Sequence, residues 1–279
     1  MGSEKQGQNA KSISTPPPRE AIIAFLERRE WSINTAQALY AFLSQHLFEG
    51  QSSRHLIASV AASPEQVDKS NAFLNRIVLE SIEFALNNPF ASFNRGLPDS
   101  QFLQIYPGEH YRLIQGLTWA LGAKLFVEIG THTGLGSFAA LQNPGVHVHT
   151  FDLIPWQNFQ SHLTSADFAS GRVVQSLADL SQKDAFRAHE TILNSADIIF
   201  LDAPKDGVFE YKFLERLRLL RPTSQRLLLI DDIRFVNMFQ LWRSIRSPKL
   251  DISSFGHWSG TGLVDISDGL LISDALQNK

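Results

Sequence analysis

The apolar positions along the chain fall into two textures. From Arg19 to about Asn88 they recur every three or four residues: Ile22, Ile23, Phe25 and Leu26, then Leu39, Phe42, Leu43 and Leu47 before Gly50. That spacing predicts helices, each with one buried stripe. Ser63-Pro64-Glu65 reads as an N-cap followed by a proline at the first helical position, opening a helix that runs towards Ala85. Residues 87–98 are rich in Asn, Pro, Gly and Ser and read as a loop. A further helix is predicted over 109–121, after Tyr106-Pro107-Gly108.

Beyond it, short apolar runs alternate with helical stretches. The runs are Leu125–Ile129, 146–151, 172–174, 197–201 and 226–230. Helical patterns cover Leu135–Leu141, 156–168, 180–193, 208–220 and 235–245. Strands alternating with helices of this length imply a parallel sheet covered on both faces. Two extended stretches, 250–258 and 262–266, flank Ser259-Gly260-Thr261-Gly262 and read as a closing hairpin. The predicted architecture is α/β, a Rossmann-like doubly wound sheet of about seven strands with a C-terminal antiparallel hairpin and an N-terminal helical region. Residues 1–18, polar and ending in three prolines, read as a flexible tail. Residues 19–100 read as the helical region and 101–279 as the α/β domain.

Composition narrows the chemistry. The 279 residues contain no Cys, which excludes disulfides, Cys-ligated zinc, iron–sulfur clusters and thiol nucleophiles. The net charge of −3 is spread over both signs, so no footprint for nucleic acid is expected. No window approaches the roughly 18 uninterrupted apolar residues of a membrane span, and no apolar signal core opens the chain. A cytoplasmic location is the resulting expectation.

The stretch from Leu125 through Glu128, Gly130, Thr131, His132, Gly134 and Gly136 to Ser137 runs a buried strand into glycines and then into a helix. Such a turn lets the backbone approach a ligand and aims helix N-terminal amides at it. Asp152 ends the next strand, where an acid can hydrogen-bond the ribose of a nucleotide. Two further strand ends carry acids: Asp202-Ala203-Pro204-Lys205-Asp206, and Asp231-Asp232. Carboxyl ends of neighbouring parallel strands face one crevice. Acids gathered there repel one another unless a cation compensates, and oxygen donors without His or Cys suit Mg²⁺, Ca²⁺ or Mn²⁺. Asp206 is expected to join the same crevice. Packing is the preferred reading for His257 and Trp258, a structural role for His147 and His149, and a core role for the Phe residues at 200, 209, 213 and 235.

The spacing G-x-x-x-G-x-G, with Glu128 two positions ahead, resembles motif I of class I S-adenosylmethionine-dependent methyltransferases. The acidic strand ends resemble those of the cation-dependent O-methyltransferases typified by catechol O-methyltransferase, over roughly residues 105–266. The resemblance implies that Gly130 and Gly134 border the cofactor's methionine part, that Glu128 supports its amino group and that Asp152 holds its ribose. Adenine would lie by Leu153 and near Ser176. It further implies Asp202, Asp231 and Asp232 as ligands of Mg²⁺ or another hard divalent cation, and Lys205 as the catalytic base. Asp232 departs from the family, which has Asn there, and its aromatic gate is not recognisable. The implied activity is methyl transfer to a hydroxyl of a small molecule, with the helical region as a lid, an acceptor pocket or a homodimer surface. A metal-independent enzyme, a non-catalytic S-adenosylmethionine-binding module and an NAD-dependent dehydrogenase stay open.

Overall fold

The computed structural model describes Ala61–Ala62 and residues 72–235 and 237–273. The tail expected over 1–18 and most of the helical pattern up to residue 71 lie outside the described residues. The described residues belong to one compact unit.

After β1 (Ala61–Ala62), helix α1 (Ala72–Asn87) and a 3₁₀ turn (Ser100–Gln104) lead to α2 (Tyr111–Leu121). Five parallel strands follow: β2 (Leu125–Ile129), β3 (His147–Asp152), β4 (Val173–Leu177), β5 (Ile198–Leu201) and β6 (Leu227–Asp231). Between them lie α3 (Leu135–Leu141), α4 (Ser165–Ala169), α5 (Lys183–Ala188), α6 (Glu190–Ser195) and α7 (Phe209–Leu217). Helix α8 (Met238–Ser244) precedes β7 (Lys249–Asp251) and β8 (Thr261–Asp265), and the sheet runs β1-β7-β8-β6-β5-β2-β3-β4. Strand β8 is antiparallel to both β6 and β7, as the hairpin reading requires. The two-residue β1, antiparallel to β7, adds an edge to the expected seven strands.

Successive residues of the central strands sort to opposite faces, as the two-residue period dictates. Phe126, Phe200, Leu227 and Leu229 pack with α1, α2 and α3 residues such as Leu74, Ile77, Leu117 and Ala139. Val127, Ile199, Leu228 and Ile230 pack with Phe213, Leu217, Leu241 and Trp242 on the other side. Both faces are therefore covered, which is why these strands read as continuous apolar runs. Helix α1 belongs to this same core.

Three predicted elements are shorter than their patterns. The stretch 156–168 holds a 3₁₀ turn (Trp156–Asn158) and then α4, because Thr164 and Asp167 form a capping box that starts a new helix. The stretch 180–193 divides at His189, whose backbone (φ −111°, ψ 10°) leaves the helical region. The stretch 250–258 stops being a strand after Asp251. Its Oδ1 accepts from Ser253 N (3.1 Å) and Ser253 Oγ, and the chain turns into a 3₁₀ segment (Ser253–Phe255).

Strand order reverses between β2 and β5. The crevice beyond their carboxyl ends is the place where open α/β sheets take ligands.

Candidate active site

Three loops meet at the carboxyl edge of β2, β5 and β6, and each holds a non-glycine residue in left-handed backbone: His132 (φ 42°), Lys205 (φ 64°) and Asp232 (φ 60°). Such conformations cost about 1–3 kcal/mol each and persist only where the surroundings enforce them.

In the glycine loop, Gly130 (φ 104°) crosses directly against β5's exit, and a Cβ there would lie 2.0 Å from the Asp202 carbonyl oxygen. At Gly136 a Cβ would meet Glu128 Oε1 at 2.2 Å. These glycines permit close approach of protein to protein. Glu128 lies beneath the loop, buried, and accepts from Ser137 N (3.1 Å), Ser137 Oγ and Thr150 Oγ1 (2.8 Å). Burial pushes its pKa up to about 8, against the lowering effect of those donors. Thr131 is buried and bonded to Thr150 and Gln175. Gly134 is the left-handed N-cap of α3. Asp152 accepts from the His132, Leu153 and Ile154 amides at 2.9, 2.7 and 3.0 Å, so it ties the ends of β2 and β3 together. Leu153 is 68% exposed. Ser176 Oγ lies 2.9 Å from His149 Nε2, whose pKa falls to about 4 through burial and the neighbouring His189.

Asp202, Asp231 and Asp232 converge on Lys205. Its ammonium bonds Asp202 Oδ1 and lies 3.3 Å from Asp232 Oδ2 and 3.9 Å from Asp231 Oδ2. Desolvation works against the charge on Lys205, but these carboxylates outweigh it and raise its pKa. Asp202 is raised by burial and by Asp231, despite Lys205. On the opposite side of Asp231, Oδ1 faces His110 Nδ1 at 3.3 Å and His257 Nδ1 at 3.2 Å. Desolvation opposes charge on both imidazoles, and the acids facing them outweigh it, so both pKa values rise. Asp231 is held well below the carboxylate range by the same two rings, in spite of its burial.

Asp206 is not in the cluster. It is exposed, and its Oδ1 accepts from Val208 N (2.7 Å) and Phe209 N (2.8 Å) at the start of α7. Glu210, buried within α7, reaches back to Lys205 N (2.6 Å) and Gly207 N (2.9 Å). It thereby holds the unusual backbone of Lys205. His257, read from sequence as packing, lies against Asp231 and Asp232, and Glu109 and His110 adjoin it. Nothing in the local pattern distinguishes those two residues. A bridge between Gly108 and His257 joins their segment to the β7–β8 connection.

No protein-family model matches the sequence, and no curated protein matches it. Among solved structures, the chain is similar to a proposed caffeoyl-CoA O-methyltransferase from Staphylococcus aureus, with 18% identity and a TM-score of 0.41 over 71% of this chain and 99% of that one. It is similar to a methyltransferase from Geobacter sulfurreducens, with 17% identity and a TM-score of 0.40 over 73% and 98%. It is also similar to the SAH-bound Podospora anserina methyltransferase PaMTH1, with 14% identity and a TM-score of 0.36 over 88% and 98%. The fold is Rossmann-like. That assignment rests on the sheet's own strand order and directions. Among the described residues, no helix is long and apolar enough to cross a membrane.

Proposed function

We propose that the chain is an S-adenosylmethionine-dependent O-methyltransferase, assisted by a divalent cation and acting on a hydroxyl of a small molecule. One observation carries the reading: the acids ending β5 and β6 converge beside the glycine loop, at the point where strand order reverses.

The donor set suits a cation. Three carboxylates already surround a positive charge, the Lys205 ammonium. Asp202, Asp231 and Asp232 would hold the ion, which supplies Lewis-acid polarisation of the acceptor hydroxyl when bound. Lys205 balances these acids and is the group nearest to them that can later take a proton. Held as it is, it stays an ammonium, and it can act as a base only once the carboxylates are neutralised. On the cofactor side, Asp152 would meet the ribose. Leu153 presents an open apolar side chain where adenine is expected. Glu128 supports this arrangement from below through Ser137 and the start of α3. Holding donor and acceptor in near-attack geometry can supply roughly 7–11 kcal/mol of the acceleration.

Calorimetry with S-adenosylhomocysteine and with NAD separates this reading from a dehydrogenase: the first is expected to bind and the second not. Asp202→Ala is expected to abolish turnover while cofactor binding remains, and EDTA to do the same to the unaltered protein. Full activity in excess EDTA would remove the cation and leave the methyltransferase reading in place.

A further inference from the structure

We infer that the cation is held through nitrogen as well as oxygen, by His110 and His257 on the side of Asp231 away from Lys205, so that the site favours Mn²⁺, Co²⁺ or Zn²⁺ over Mg²⁺. This rests on the cation reading above and refines it. His110 is 1% exposed, and neither ring nitrogen makes a hydrogen bond although both are buried. Buried polar atoms are nearly always satisfied, so Nε2 without a partner, and Nδ1 with only the 3.3 Å approach to Asp231 Oδ1, leave this imidazole free to take a further ligand. Its Nδ1 and that of His257 converge on one oxygen, Asp231 Oδ1. His257 Nδ1 also lies 3.3 Å from Asp232 Oδ1, and one donor atom each from Asp231, Asp232 and His257 lies within 4.8 Å of the others. On the far side of that ring, Nε2 is 3.8 Å from Glu109 Oε2, a carboxylate placed to fix the orientation of a ligating imidazole.

The two sides of the acid cluster therefore differ in chemistry. Lys205 takes Asp202 Oδ1 and the Oδ2 atoms of Asp231 and Asp232, whereas Asp231 Oδ1 faces imidazole and Asp232 Oδ1 accepts from Ser259 Oγ, which also lies 2.8 Å from His257 Nδ1. His110, Asp202 and Asp231 also each offer a donor atom within 4.8 Å of the others, so the imidazole side is continuous with the Asp202 side of the cluster. First-row transition ions accept imidazole, Mn²⁺ more weakly than Co²⁺ or Zn²⁺, while Mg²⁺ keeps to oxygen and water.

Mn²⁺ titrated into the full chain and followed by electron paramagnetic resonance tests this, with spin-echo detection of ¹⁴N coupling. The expected result is bound Mn²⁺ with nitrogen coupling. His110→Gln and His257→Gln should each weaken Mn²⁺ by about tenfold or more, reduce the coupling, and change Mg²⁺ binding little. Because His110 is buried, circular dichroism accompanies its variant, and His257→Gln alone carries the test if that variant does not fold. Bound Mn²⁺ without nitrogen coupling, or unchanged affinity in the variants, overturns the inference and spares the cation reading. If Mn²⁺ and Mg²⁺ both fail to bind while S-adenosylhomocysteine binds, the inference and the cation fall together and the methyltransferase reading stands.

Discussion

Glu128 and Lys205 are both ionisable groups in confined surroundings, and the surroundings push them to opposite ends of the charge scale. Glu128 faces hydroxyls and one amide, with no cation among its hydrogen-bond partners, and its pKa rises from the usual 4.5 to about 8. Between those values the folded protein holds a proton that the unfolded chain has released, so stability falls as pH rises through the window. Glu128→Gln removes that dependence. Its melting temperature should gain on the unaltered protein from pH 5 to pH 9, by the equivalent of a few kcal/mol at the upper end. Parallel melting curves across this range would show that Glu128 carries no such burden. Lys205 shows the reverse balance, since three acids hold its charge. Lys205→Met should destabilise the metal-free protein by on the order of 3 kcal/mol, because it leaves carboxylates crowded and unpaired. Added Mn²⁺ or Mg²⁺ should raise the variant's melting temperature more than that of the parent, and equal shifts would contradict the cation's place there. The sequence made Asp202, Lys205, Asp231 and Asp232 legible because each sits at the end of an apolar run. It could not show Lys205 clamped by all three.

The elements that aim these groups are short, and their ends carry the detail. Asp206 accepts from the Val208 and Phe209 amides at the start of α7, whereas Glu210, inside the helix, accepts from the Lys205 and Gly207 amides of the preceding loop and so fixes the backbone of Lys205. The two acids predict different consequences. Asp206→Ala should cost about 1 kcal/mol of stability and leave turnover near the parent's. Glu210→Ala should cost more stability and also lower kcat, because it frees Lys205 as well as the helix. If both variants lost stability and turnover alike, Glu210 would have no separate part in positioning Lys205. The sequence reading gathered Asp206 into the crevice because a strand end followed by acids looks the same whichever way each side chain turns. The capping bonds to Val208 and Phe209 resolve it. Local hydrogen bonding likewise shortened the predicted stretches at 156–168 and 250–258, where Thr164, Asp167 and Asp251 compete with the regular pattern.

The central parallel strands were readable because a sheet buried on both faces needs apolar runs, and β2, β5 and β6 are such runs. Hydrogen exchange should follow this layout. Amides of β2 and β5, central and buried, should open only with global unfolding, and those of β4 and β7 near the edges should exchange faster. Faster exchange in β2 than in β4 would contradict the core described here. Sequence alone was enough for the alternating elements, the glycine loop, the acids at strand ends and the exclusion of thiol chemistry, since periodicity, turn chemistry and composition are local properties. The company those acids keep is not local. His110 precedes β2 and His257 lies in the β7–β8 connection; they meet Asp231, and Glu109 meets His257, only because the sheet inserts β8 beside β6 and a bridge at Gly108 closes the gap. Contacts between segments so far apart in the chain leave no periodic trace in it, so the donor set of the site became visible only in the folded arrangement.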